Sequence, residues 1–336
     1  MNTLHERVDW VDYAKGICII AVVTLYAAAE AKNTLGSSGW MQYWADFAKP
    51  FRMPDFFLIS GLFLARTINK PWRHYLDRKV VHFLYFYTVW SIIYMIYRIG
   101  AGEFVGESFI FVSKSFVSMF LFWPFHQMWF ILMLPIFFIC TRLLKGVPVW
   151  LVFPVLCLIH VFPPIEVQMS MMPGDFFARY VFFYAGYAFA PYFFRFARKV
   201  QDYTLIALLL LTCWGVVNSL FVFNGYLQYK IITLGLGFCG VFAVIAVAAL
   251  LQKLDFMGWL QYLGANSIIV YLPFFLPMKV ASVAINKVYP LASPGLFSVA
   301  VTVLSILASV LFYRLAQKTA GGVWLLSRPA WVKVSP

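Results

Sequence analysis

The sequence predicts an all-α polytopic integral membrane protein, with about ten transmembrane helices and both termini cytoplasmic. Three observations predict this. Of the 336 residues, 63% are hydrophobic and only 12% charged, with a mean hydropathy of +0.82. A soluble domain carries about 25% charged residues, so too little polar surface exists here to cover a globule in water. Apolar segments recur at about 16–22 residues, the length that crosses a bilayer as a helix. Finally, the basic residues lie between these segments and fall largely to one side of the membrane.

The segments, in order, are Gly16–Ala31, Phe51–Ala65, Val80–Tyr97, Met128–Cys140, Val149–Pro163, Phe176–Phe193, Leu205–Phe223, Ile231–Leu251, Leu263–Ile285 and Gly295–Leu315. An eleventh apolar stretch, Phe109–Phe125, holds Lys114 and three serines and ends at Trp123-Pro124. Charge decides its place. If Phe109–Phe125 lies at the outer interface or re-enters, 17 of the 26 Lys and Arg residues share one face. The opposite loops then carry Glu103, Glu107, Glu166 and Asp175. Basic residues favour the cytoplasmic side, so Met1–Lys15 and Leu315–Pro336 read as short cytoplasmic tails. Glu6, Asp9 and Asp12 make Met1–Lys15 a poor signal-peptide start despite Ala27-Ala28-Ala29, and the first segment reads as uncleaved. With no internal repeat or soluble insertion, residues 1–336 read as one membrane domain.

The net charge of +13 would suggest nucleic acid in a soluble chain. Here its position between apolar runs assigns it to topology and anionic lipid, and no nucleic-acid partner is expected. The lipid bilayer is the expected solvent partner. Cys18, Cys140, Cys157, Cys213 and Cys239 all lie inside apolar runs without a C-x-x-C pair. They read as small core residues, not as disulfides or metal ligands. No metal site is expected.

An ionisable residue within a span is costly and is a functional candidate by default. In the first segment Lys15 and Tyr26 are eleven residues apart. That is about three helical turns, so both side chains share a face about 16 Å apart. Glu30 follows Tyr26 by four residues and joins that face. An interfacial reading stands beside the functional one: Lys15 reaching for headgroups, Tyr26 in an aromatic belt, Glu30 at the outer surface. The second segment opens Phe51-Arg52-Met53-Pro54-Asp55, with Pro54 suited to a first helical turn. Ser60-Gly61 permits a close helix contact or a cavity. Arg52 and Asp55 read either as a salt bridge or as a functional pair. The intramembrane charges read as clustered in these first two spans.

These stretches carry a resemblance. "VDYAKGICIIAVVTLY" followed by "FRMPDFFLISGLF" resembles the two N-terminal signatures of the acyltransferase-3 family. "HQMWFILMLPIFF" resembles a recurrent W-F-L/I segment, with Trp129 in the tryptophan position. "LGANSIIVYLPFF", with Asn266 and Tyr271, resembles a late G-x-x-S-x-x-x-Y-L segment. Asp77-Arg78-Lys79 resembles the family's Arg-rich stretch after the second helix.

The resemblance implies a reaction: transfer of an acyl group, of the acetyl or succinyl class, from cytoplasmic acyl-CoA to a hydroxyl of an envelope carbohydrate or glycolipid. It also implies residence in the bacterial inner membrane. Acyl-CoA is then a co-substrate, and no cofactor is permanently bound. Lys15, Arg78 and Lys79 would hold the CoA phosphates by charge-assisted pairing. Arg52, Asp55, Ser60, Trp129, Asn266 and Tyr271 would line the acyl path or the acceptor site.

The sequence departs from the family pattern at its chemical centre. The position of the expected histidine, separated from the basic Lys15 by ten intervening residues, holds Tyr26. A phenol, with an ordinary pKa near 10, is a poor base at neutral pH. The later Y-L-x-H pattern reads Tyr271-Leu272-Pro273-Phe274, and His82 replaces a third arginine. Three readings stay open. Glu30 or His126 takes the base role; Tyr26 itself works; or catalysis is lost and a binding role, as partner in glycan assembly, remains. A transporter of glycans or small molecules is a reading from another class, without the internal repeat that many transporters show.

Overall fold

The computed structural model describes residues 8–163, 171–288 and 293–333, and every regular element among them is helical. The helices are α1 (Asp9–Leu35), α2 (Met41–Phe47), α3 (Arg52–Leu62), α4 (Trp72–Leu76), α5 (His82–Gly100), α6 (Phe109–Leu121), α7 (Met128–Leu143) and α8 (Val149–Val161). There follow α9 (Met171–Ala188), α10 (Ala190–Asp202), α11 (Thr204–Phe223), α12 (Lys230–Lys253), α13 (Gly258–Ala265), α14 (Ser267–Tyr271), α15 (Phe275–Val288), α16 (Pro294–Ala316) and α17 (Ala320–Leu326). A π-helical turn, Asp77–Val81, joins α4 to α5. Glu166 of the expected acidic loops and the ends of both tails lie outside the described residues.

Six of these stretches are long and apolar enough to cross a membrane: Asp9–Leu35, Trp72–Gly100, Met128–Gly146, Thr204–Phe223, Lys230–Lys253 and Pro294–Ala316. Each covers one of the ten expected segments. The other four take different forms for local reasons. Phe51–Ala65 is helical only over α3 and then tightens into a 3-10 turn at Leu64–Arg66. Val149–Pro163 supplies a helix of 13 residues, about 20 Å long and short of the roughly 30 Å hydrocarbon core. Phe176–Phe193 is divided at Phe189, ahead of Pro191, whose missing N–H cannot continue the helical ladder. Leu263–Ile285 is corrected from one helix to three. Asn266 departs from helical geometry at φ −115° and ψ 27°, and Pro273 interrupts again between α14 and α15. The eleventh stretch forms α6, also 13 residues, with no buried side chain; the Ser108 hydroxyl caps it by accepting from the Phe111 N–H at 3.3 Å.

The chain divides into two compact units, Met1–Leu62 with Ala185–Leu311, and Phe63–Tyr184 with Phe312–Pro336. In the first, α1 is the central helix, packed by α2, α3, α12, α13, α14 and α15. Its contact with α13 is made at backbone distance. A Cβ on Gly264 would be driven into the Asp12 carbonyl oxygen, and one on Gly16 into that of Leu260. Small residues permit such approaches in membrane helices. Ser60-Gly61 was the expected close-contact pair, but α3 meets another glycine: a Cβ on Gly186 would collide with the Leu58 carbonyl. Of the five cysteines only Cys18 is buried, while Cys213 and Cys239 are exposed on apolar helices. The common core role expected of them therefore holds for Cys18 alone.

In the second unit α5 and α7 pack together and against the π turn. The Tyr75 hydroxyl donates to the Phe138 carbonyl at 2.6 Å. The Arg142 guanidinium lies over Trp72 and Tyr75, 4.3 and 4.4 Å from their ring centres. The Trp90 indole donates to the Leu325 carbonyl at 3.0 Å, tying α17 to α5. An aromatic core of Phe137, Phe138, Phe176, Tyr180 and Phe183 fills the space between α7 and α9.

Candidate active site

The α1 face that holds Tyr26 and Glu30 meets the broken-helix segment. Tyr26 is half-buried, its ring 5.5 Å from that of Phe274 and 6.4 Å from that of Phe275. One turn on, the buried Glu30 carboxylate pairs with the Lys279 ammonium of α15 at 2.5 Å. A further turn on, the Thr34 and Ser282 hydroxyls share a hydrogen bond of 3.2 Å. Positions 26, 30 and 34 of α1 thus run along one face against 274–275, 279 and 282. The pairing neutralises a carboxylate that would be costly alone in the membrane. Lys279 also lies 5.5 Å from the Phe275 ring centre.

A line of rings leads from this face to α3. Tyr271 is buried, with its ring 6.3 Å from Phe274 and 6.2 Å from Phe56. Beside Phe56 stands Asp55, 2% exposed. Neither of its carboxylate oxygens has a hydrogen-bond partner among the described residues. The expected alternative of an Arg52–Asp55 salt bridge is not formed. The buried Arg52 instead donates from Nη1 to the Ala45 carbonyl of α2 at 3.1 Å. Asp55 lies within electrostatic reach of the buried Cys18 of α1. The Ser60 hydroxyl turns back to the Phe56 carbonyl at 2.7 Å, and the Asn266 amide to the Tyr262 carbonyl at 2.9 Å.

At the start of α1, Lys15 stands 3.7 Å from the buried Asp12 carboxylate and is a third exposed. That contact is at the long end of an ion pair. The Asp9 carboxylate accepts from the Gln261 amide of α13 at 2.9 Å.

The remaining expected site residues belong to the second unit. Arg78 and Lys79 lie on the π turn, Arg78 exposed and Lys79 half-buried with its ammonium 4.7 Å from the Phe138 ring centre. Their neighbour Asp77 is buried and held by Arg328 from the C-terminal segment. Nη2 meets the carboxylate at 2.6 Å and Nη1 the Asp77 carbonyl at 2.7 Å. His82 lies in the electrostatic neighbourhood of Arg328, Lys79 and Asp77. A π turn is an uncommon element that often marks functional positions.

His126 is exposed and holds a left-handed backbone at φ +36°, a conformation uncommon outside glycine. Buried beside it is Gln127, whose amide donates to the Tyr94 hydroxyl at 2.5 Å. Trp129 is half-buried in the first turn of α7.

Two residues that matter here were not identified in the sequence. Lys279 corrects the expectation that intramembrane charge clusters in the first two spans. Its signal was plain: one cation inside an otherwise apolar segment calls for a carboxylate partner. Arg328 looked like any tail cation, and only folding shows that it returns to Asp77. Among the described residues no group of three metal-ligating side chains forms.

Comparison with known proteins gives two findings. The acyltransferase-3 family model, described as an acyltransferase domain, matches residues 8–314. A stretch of 88 residues is 30% identical to the inner membrane protein YcfT of Escherichia coli strain K12, covering 23% of this chain and 24% of that protein. The matched stretch thus spans about a quarter of the relative's length. No solved structure matches the chain.

Proposed function

We propose that this chain, which belongs to the acyltransferase-3 family, moves an acyl group of the acetyl or succinyl class from cytoplasmic acyl-CoA to a hydroxyl of an envelope carbohydrate or glycolipid. Family membership and the six apolar spans make it a multi-pass membrane acyltransferase. Donor, acceptor, ten-span topology with cytoplasmic termini, and residence in the bacterial inner membrane are parts of the proposal.

The observation that carries it is the Glu30–Lys279 pair one turn from Tyr26. With Tyr26 in place of an imidazole, Glu30 is the nearest carboxylate on that face. In this reading Glu30 accepts the proton of the acceptor hydroxyl as its oxygen attacks the thioester carbonyl. The carbon–sulfur bond then breaks, and CoA leaves as the thiolate, protonated from solvent. Lys279 is a positioning residue, and the Tyr26 hydroxyl orients the acceptor. In the second unit Arg78 and Lys79 are the candidates to hold the CoA phosphates, and in the first unit Lys15 is the candidate for that role. In the first unit Arg52, Asp55, Ser60, Asn266 and Tyr271 line the acyl path or the acceptor site, and in the second unit Trp129 is the candidate for that role. His126, with its exposed ring, is the alternative base.

One observation favours a second reading. Both positions at which the resemblance places histidine carry aromatic rings in mutual contact, Tyr26 and Phe274. A chain that binds acyl-CoA or glycan without turning it over would keep such an apolar plug. Mass spectrometry of envelope glycans with and without the gene tests the proposal. Loss of an acetyl or succinyl mass on deletion, restored by the parent chain and not by Glu30→Gln, is the expected result. An unchanged glycan profile would leave the second reading.

A further inference from the structure

Outside the site described above, the first unit contains an apolar cavity of about 440 Å³ between α10, α11 and α12. Its walls include Phe196, Val200, Leu210, Phe242 and Ala246 and are almost wholly apolar, and Lys199 and Tyr203 line it at the α10–α11 junction. The volume lies within the range of about 300–1,000 Å³ usual for small-ligand sites. From Tyr203 to Leu210 the groove follows two turns of α11, about 10 Å.

Two of the walls, α11 and α12, are long and apolar enough to cross a membrane, and Ile206 and Leu210 beside the groove are exposed apolar side chains. The third wall, α10, is an amphipathic helix. It buries Ala190, Phe193, Ala197 and Val200 on one stripe and exposes Arg195, Arg198 and Lys199 on the other face. The one acid of this helix is Asp202. Arg195 lies over the Tyr192 ring; Arg198 and Lys199 make no ion pair or hydrogen bond with their side chains among the described residues. Lys253 has its own partners at this end, the Gln201 carbonyl and the Thr204 hydroxyl. A basic amphipathic helix is the signature of an interfacial element that attracts anionic lipid.

We infer that this groove is a binding site for an anionic glycerophospholipid. One acyl chain lies along α11 and α12, and the phosphate rests on Lys199, with Arg198 and the Tyr203 hydroxyl at its rim. A soluble anion would use the cations but leave the apolar trench empty; a zwitterionic lipid would fill the trench but gain little from the cations. An anionic lipid uses both.

The test is native mass spectrometry of the full-length protein in detergent, titrated with phosphatidylglycerol, with phosphatidylcholine, and with glycerol phosphate as a chainless competitor. Phosphatidylglycerol should bind roughly tenfold or more tightly than phosphatidylcholine. Lys199→Glu should remove that preference. Leu210→Trp, at an exposed position of the wall, should weaken both lipids without touching the charge. Equal binding of the two lipids by the parent chain would overturn the inference. So would competition by glycerol phosphate at the affinity of the whole lipid, or lipid binding that neither variant changes.

Discussion

The rings of Tyr26 and Phe274 pack 5.5 Å apart with their planes inclined at 58°. These are the two positions at which resemblance to the family implies imidazoles, and they lie on elements separated by more than two hundred residues. The two departures from the family pattern therefore meet at one place in the fold. Where two rings with exchangeable protons would face each other, this chain holds a phenol against a phenyl. Restoring one histidine alone would leave it against an apolar ring. The double change Tyr26→His with Phe274→His should raise acyl transfer above either single change, read as acyl-CoA turnover. Equal or lower turnover in the double variant would show that the pocket no longer has room for an imidazole pair.

Glu30→Gln should lower turnover by about a hundredfold or more, the usual range for loss of a general base, while acyl-CoA binding is retained. Tyr26→Phe should cost less, since it removes an orienting hydroxyl only. If Glu30→Gln remains active and a His126→Ala variant does not, the base has been misassigned.

Lys279→Met leaves Glu30 buried without its partner. The expected loss of stability is about 1–3 kcal/mol, below the range for a fully buried pair because Lys279 is a third exposed, followed by thermal unfolding in detergent. Adding Glu30→Gln to Lys279→Met should recover most of that loss without recovering activity. A destabilised double variant would mean that the pair supports packing rather than charge balance.

The α1 face was legible in the sequence because it follows from helical arithmetic alone: residues 26 and 30 had to align. What that face meets was not legible, since Lys279 is 249 positions away from Glu30 and spacing within one helix cannot report on another. The same limit hid Arg328 behind Asp77. Span lengths were read well where apolar runs were uninterrupted, as in α11 and α12. They were overextended at Leu263–Ile285, where a mean over the segment masks what Pro273 and Asn266 do to the backbone locally.

Arg78→Glu should weaken acyl-CoA binding roughly tenfold and flatten its salt dependence, because screening acts on exposed charge pairs. Arg328→Ala should weaken binding as well, though less, by releasing the Asp77 backbone that presents Arg78 and Lys79. Isothermal titration at two ionic strengths separates the cases. Unchanged affinity in both variants would make the basic turn a topological signal only.

Gly264→Leu should destabilise the first unit by about 1–3 kcal/mol, the usual cost of overpacking. Here the new side chain meets the backbone of Asp12, which cannot rotate away. Loss of folded protein on size-exclusion chromatography checks this. Normal yield and melting would mean that α1 and α13 tolerate a wider spacing.

The π turn at Asp77–Val81 amounts to a residue inserted in the phase of an otherwise continuous helix. Each residue advances a helix by about 100°, so deleting one position there would swing Trp72–Leu76 around the axis relative to His82–Gly100. Tyr75 would turn away from the Phe138 carbonyl, and the Trp72 and Tyr75 rings from Arg142. The chain thus carries a frame on which single-codon deletions act like a rotation of a whole face, whereas a point substitution at the same place alters one side chain. Among length variants of this sequence, a change of one residue between Tyr75 and His82 would be the smallest lesion able to misalign the basic turn while leaving every one of its cations present.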